Sequence, residues 1–113
     1  MADCIFCKIA NGEIKSELIY EDEMVVAFHD LNPQAPQHIL IVPKVHVANI
    51  AELNDRELAA HIFVDVVPKI AKKAGVDESG FRLVINTGKE GGQTVNHLHI
   101  HLLGGRSMTW PPG

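Results

Sequence analysis

Of the 113 residues only two are cysteine and only 5% are aromatic, a single tryptophan among them. So few cysteines exclude a disulfide-stapled mini-domain, and none is needed, because a chain of this length should withdraw roughly two thirds of its unfolded surface from water. Long apolar runs are also missing: Ile39-Leu40-Ile41-Val42 stops at Pro43, far short of the ~18 residues of a membrane span. The start, Met1-Ala2-Asp3-Cys4, carries an acid where a secretory leader would carry basic residues before an apolar stretch. A soluble cytoplasmic protein with no membrane partner is expected. Positive charge is not in excess either, since ten basic against fourteen acidic residues leave a formal charge of −4, which repels a nucleic-acid backbone. Small phosphorylated ligands stay open, because a few backbone amides can hold one phosphate whatever the net charge. No internal repeat, low-complexity tract or linker interrupts the chain, so one domain over residues 1–113 is expected.

What is present is a mixed pattern, 46% hydrophobic and 21% charged. A short apolar piece, Ile5 to Ala10, ends at the turn signal Asn11-Gly12, and strands are predicted at 17–21, 24–29 and 39–42. Glu21-Asp22-Glu23 suits the hairpin turn between the first two, and Asn32-Pro33-Gln34-Ala35-Pro36 breaks the pattern before the third. A helix is predicted from Asn54, capped with Glu57, to near Gly75, with Leu58, Ile62, Val66 and Ile70 on one apolar face and a kink at Pro68. Two more strands, Phe81 to Asn86 and Asn96 to Leu103, flank the segment 87–94. Five strands, read as antiparallel, and one main helix make the class α+β.

Seven histidines are the unusual count. His97-Leu98-His99-Ile100-His101 alternates imidazole with aliphatic side chains, which on a strand puts three imidazoles on one face and Leu98, Ile100 and Leu102 under the helix. Three basic rings side by side are a costly arrangement for stability alone. His29 and His61 read as packed or surface residues. Two chemistries compete for the cluster: metal ligation with an open position for water, or attack by one imidazole on an electrophile while its neighbours move protons. The loop Gly88 to Thr94, with three glycines and a hydroxyl just before the histidines, has the composition of a backbone cradle for an anion.

Through His97-x-His99-x-His101 followed by two leucines, the chain resembles the histidine triad (HIT) family. The likeness extends to Phe28-His29-Asp30, to Pro36-Gln37-His38-Ile39-Leu40-Ile41-Val42-Pro43-Lys44, to Gly91-Gly92-Gln93-Thr94, and to Gly104-Gly105-Arg106 with Trp110-Pro111-Pro112-Gly113. The tail makes it look like the nucleotide-binding branch of that family. The resemblance implies a homodimer whose two sheets join, with a purine nucleotide or nucleoside phosphoramidate bound by each subunit. It implies hydrolysis of nucleoside 5′-phosphoramidates to AMP or GMP, with no cofactor required for catalysis. His99 would attack the α-phosphorus and carry the nucleotidyl group, His101 would assist the leaving amine, and His38 and His97 would complete the histidine network. By the same likeness Asn86, Gly92 and Thr94 face the phosphate, Asp30 the ribose, and Ile5, Phe6, Ile9, Phe28 and Leu31 the base, while Trp110 reaches toward the partner's site.

Cys4-x-x-Cys7 lies too near the chain start for a thioredoxin-like motif and reads as a metal pair or as two packed thiols. In the resemblance, His46 and His97 complete a Cys₂His₂ set for a structural zinc. Three readings follow: a phosphoramidate hydrolase acting through His99, a nucleotide-binding interaction module with incidental hydrolysis, and a metal hydrolase using the imidazole row as ligands.

Overall fold

Unbroken apolar runs, Val25 to Phe28 and Ile39 to Val42, build a sheet with two buried faces. The computed structural model of the chain describes residues 4–113, and the Met1-Ala2-Asp3 start, read above as no secretory leader, lies outside them. Strands β1 (Leu18–Glu21), β2 (Val25–His29), β3 (Gln37–Pro43), β4 (Phe81–Val84) and β5 (Ile100–Gly104) form one antiparallel sheet in the order β1-β2-β3-β5-β4. The α+β class and the five strands agree with the reading from sequence, but several strand ends do not: β3 begins at Gln37 rather than Ile39. β4 stops at Val84 rather than Asn86, and β5 begins at Ile100 rather than Asn96. Ahead of Ile100 the chain is captured elsewhere: Leu98 N–H bonds the Val47 carbonyl at 2.6 Å, so Val84 opposite His101 is the last paired position of β4.

On one face Val25, Ala27, Ile39, Ile41, Ile100 and Leu102 meet Leu58, Ile62, Val66 and Ile70 of the long helix, and Leu98 joins them. Each such aliphatic side chain withdrawn from water contributes about 1.5–3 kcal/mol. The helix runs as α2 (Arg56–Ala60), a π-helical segment (His61–Val66) and α3 (Val67–Lys73). Its N-cap is Asp55, not Asn54: the Asp55 carboxylate accepts from Leu58 N–H at 3.1 Å. The kink expected at Pro68 takes the form of the π segment. Proline has no N–H and its ring crowds the preceding turn, and the backbone widens just before it, with Val67 N–H bonding the Ile62 carbonyl. Among the described residues no helix is long and apolar enough to cross a membrane.

The other face carries α1 (Ile5–Ala10), the helix into which the short apolar piece folds. Phe6 and Ala10 pack there against Val26, Phe28, Leu40 and Val42. Cys4 caps α1, its sulfur accepting from Cys7 N–H at 3.4 Å. His97 and His99 lie on this second face, against Phe6 of α1.

Asp22 ties the β1–β2 turn to the long helix. Its carboxylate accepts from Met24 and Val25 N–H at 2.7 and 2.9 Å, from Tyr20 O–H at 2.6 Å and from His61 Nε2 at 2.6 Å. His61, read from sequence as a packed or surface residue, is therefore a bridge between layers. Burial alone would push the Asp22 carboxyl up, but the Tyr20, Met24, His61 and Val25 hydrogen bonds outweigh it and hold the group well below the usual carboxylate range. The Asp22 contact raises His61 and moves Tyr20 up to about 12. A histidine raised in the folded state stabilises fully below its unfolded pKa and loses that contribution as pH rises through its folded value. His61→Ala should therefore cost more unfolding free energy at pH 5.5 than at pH 8.5, and Asp22→Asn about 1.5–3 kcal/mol at neutral pH, as denaturant titration at each pH will measure.

Candidate active site and metal centre

Three histidine rings sit on the α1 side of the sheet, as the alternation predicts, although only His101 belongs to a paired strand. Phe6 packs edge-on to His99 with ring centroids 5.0 Å apart and to His97 at 6.1 Å, and the rings of His99 and His101 are 5.0 Å apart. His97, His99 and His38 are buried, and His101 half-buried.

Hydrogen-bond partners assign a tautomer to each ring. Gln34 N–H donates to His38 Nδ1 at 3.0 Å, so the His38 proton sits on Nε2. That Nε2–H lies 2.9 Å from His101 Nδ1, with Asp30 Oδ2 at 3.5 Å on its flank. His101 Nδ1 thus accepts, and its own proton is on Nε2, which is buried without a partner among the described residues. His99 Nδ1–H donates to the His97 carbonyl at 2.7 Å, which leaves the His99 Nε2 lone pair unspent. Neighbouring rings therefore present opposite faces to a ligand: a lone pair on His99 and an N–H on His101, the two functions that nucleophilic displacement at phosphorus requires. Burial, with His99 and His38 adding to it and Asp30 opposing, lowers His101 to about 4, and burial likewise lowers His38. Both rings are therefore uncharged at neutral pH.

His97 faces away from this pair. Its Nε2–H donates to the Pro43 carbonyl at 2.8 Å, and its Nδ1 lies 3.3 Å from Cys4 Sγ and 3.4 Å from Cys7 Sγ. His46 Nδ1 is 3.2 Å from Cys7 Sγ, and the four donor atoms are all within 4.8 Å of one another. In a tetrahedral zinc site with bonds of ~2.3 Å to sulfur and ~2.0 Å to nitrogen, sulfur and nitrogen stand roughly 3.5 Å apart, so this donor set fits zinc. The Pro43 carbonyl supplies the outer hydrogen bond that orients a ligating imidazole. Without a cation, burial and the neighbouring Cys4 push the Cys7 thiol up, which a bound metal would reverse. His97, His99 and His101 do not converge on one ion. His101 instead groups with His38 and Asp30.

The remaining residues named from sequence are spread around the site. Asp30 is half-buried and accepts from Asn32 N–H at 2.8 Å. Asn86 lies two residues past β4 and is half-buried, and Gly92 and Thr94 are exposed, Gly92 with φ +78°. Phe6 and Phe28 form a T-shaped pair in the second core, centroids 5.7 Å apart, with Ile9 half-buried against it. Ile5 and Leu31 are exposed. The tail folds onto β4 of its own chain, where Arg82 donates to the Thr109 carbonyl at 3.0 Å and lies 5.8 Å from the Trp110 ring centre. Sequence reasoning missed the Gln34 N–H and the Pro43 carbonyl, which are main-chain groups without a side-chain signal. It also missed any role for Gln93.

A HIT domain model matches residues 11–108. The chain belongs to the HIT family. A HIT family hydrolase of Legionella pneumophila superposes with a TM-score of 0.94 at 52% identity, over 98% of this chain and all of that one. A 14 kDa zinc-binding protein of Zea mays is 50% identical over 96% of this chain and 87% of its own length. The purine nucleoside phosphoramidase of Escherichia coli is 44% identical over 94% and 90% respectively.

The tautomers are directly observable. Long-range proton–nitrogen NMR of the free HIT protein should find the proton of His99 on Nδ1 and that of His101 on Nε2, with His101 neutral until the pH nears 4.

Proposed function

We propose that this HIT protein hydrolyses purine nucleoside 5′-phosphoramidates, releasing AMP or GMP. The observation that carries the reading is the opposed pair of tautomers, a lone pair at His99 Nε2 beside an N–H at His101 Nε2. The name of the E. coli relative supports the substrate class.

In this mechanism the His99 Nε2 lone pair forms a bond to the α-phosphorus. The phosphorus–nitrogen bond breaks, and its electron pair leaves with the amine, which takes a proton from His101. The positive charge that His99 acquires is stabilised by its Nδ1–H bond to the His97 carbonyl. Water then attacks phosphorus and gives a proton back to His101, and the bond to His99 breaks to free the nucleotide. A histidine lowered to about 4 carries little proton at neutral pH, but an anionic phosphate opposite it favours the imidazolium, so the substrate itself loads the acid. Asn86, Gly92 and Thr94 would hold the phosphate and Asp30 the ribose. Ile5, Ile9 and Leu31 would supply apolar surface for the base, with Phe6 and Phe28 as its buried backing and Trp110 at the rim.

Zinc held by Cys4, Cys7, His46 and His97 would be structural, because four protein ligands leave no open position. The maize relative's name supports it. His97 then serves the site through its carbonyl, while its ring belongs to the cluster. We read residues 1–113 as one cytoplasmic HIT domain that forms a homodimer through β4, a four-residue edge strand beside an open hollow of about 590 Å³ lined in part by Phe81, Arg82 and Arg106.

Phosphorus NMR of adenosine 5′-phosphoramidate should show conversion to AMP by wild-type protein in the presence of a chelator. His99→Ala should bind AMP without turnover, and His101→Ala should lose about 10²–10⁴-fold in rate. A folded wild type that binds AMP without turnover would leave the interaction module with incidental hydrolysis as the function. AMP should also move the His101 titration upward by at least about one pH unit, readable in the same NMR experiment.

A further inference from the structure

The glycine loop is braced from outside. The Gln93 side-chain carbonyl accepts from Gly88 N–H at 3.0 Å, while its amide nitrogen donates to the carbonyls of Ala48 at 2.7 Å and Val95 at 3.0 Å. These partners leave the amide one orientation, since a main-chain N–H only donates and a carbonyl only accepts. Gln93 N–H returns to the Gly88 carbonyl at 3.0 Å and closes the loop. The loop also folds tightly on its stem, for a Cβ at Gly91 would drive into the Thr87 backbone.

Ala48 stands two residues beyond His46, a donor of the four-atom cluster. The same two segments meet at two more points: Leu98 N–H on the Val47 carbonyl at 2.6 Å and His97 Nε2–H on the Pro43 carbonyl at 2.8 Å. Residues 43–48 and 93–98 each bring one imidazole to the cluster and are cross-braced by three struts. Of the three, Gln93 alone also grips the loop. Losing its side chain would leave one N–H and two carbonyls without the side-chain partner that joins them.

We propose that Gln93 is a positioning residue that couples the cysteine–histidine cluster to the glycine loop. Zinc in the cluster stiffens residues 43–48, and the Gln93 amide passes that order to the loop and its hold on a nucleotide phosphate. The inference rests on the reading of that loop as a phosphate cradle. Linkage is reciprocal, so the nucleotide tightens the hold on zinc by the same factor.

The test is zinc affinity by chelator competition, with and without AMP, on the full chain as wild type, Gln93→Glu and Gln93→Leu. Glutamate keeps the acceptor for Gly88 and loses both donors, so it severs the strut to Ala48 while leaving the loop's own closure. AMP should raise wild-type zinc affinity about ten-fold, within the range common for coupled sites, and that of either variant by less than about two-fold. An equal gain in wild type and variants overturns the role of Gln93, and so does no gain in a wild type that binds both AMP and zinc. A wild type that binds zinc but not AMP overturns the phosphate-cradle reading and the coupling with it. Should the variants fail to fold, hydrogen exchange on wild-type protein decides: the Gly88 amide should exchange several-fold faster once a chelator has removed zinc, and an unchanged rate overturns the proposal.

Discussion

The hydrogen bond from His97 Nε2–H to the Pro43 carbonyl, 2.8 Å long and wholly out of water, sets the arrangement of everything around it. With that nitrogen committed, the Nδ1 lone pair of His97 has to face the sulfurs of Cys4 and Cys7, and α1 is anchored to the sheet at its capping residue. The His97 carbonyl, aimed by the same placement, takes the Nδ1–H of His99 and so leaves the other nitrogen of that ring available. Ring orientation, cysteine geometry and the His99 tautomer thus descend from one buried contact. Desolvation makes it consequential, because a buried imidazole N–H left unpaired would be costly.

Each strand of the sheet serves two environments. β2 sends Val25 and Ala27 to the long-helix core and Val26 and Phe28 to the core under α1, and β3 divides Ile39 and Ile41 from Leu40 and His38 in the same way. A one-residue slip of β3 would carry His38 away from His101 and put a polar ring into the aliphatic layer. Packing of the aliphatic core therefore holds the register on which the histidine contacts depend.

Most of the fold was legible because it is written in short-range periodicity. The four-residue spacing from Leu58 to Ile70 and the alternation through Leu98, Ile100 and Leu102 both reach the core they imply. The errors arise where a distant partner overrides a local signal. His97-x-His99 alternates like a strand, yet Leu98 bonds Val47 and the ladder waits until Ile100. Asn54 and Asp55 are both good caps, and it is Asp55 whose extended backbone and bond from Leu58 N–H start the helix. His61 looks like one more helix-surface residue because its partner, Asp22, lies 39 positions away across a turn. The site's residue types were visible, as histidines, cysteines and a glycine loop. Which nitrogen carries each proton was not, since it is decided by the main-chain groups of Gln34, Pro43 and His97.

Burial holds His38 and His101 uncharged at neutral pH, in a molecule whose surface carries net negative charge. Two neutral rings exert little pull on the free phosphate, chloride and carboxylates that crowd a cell, which a permanently cationic pair would collect. In the proposed reaction, selection then falls on the rest of the ligand, because the charge that the chemistry needs is created only when a phosphate stands against the rings. The histidine rings themselves thus add no standing charge that would draw simple anions to the site.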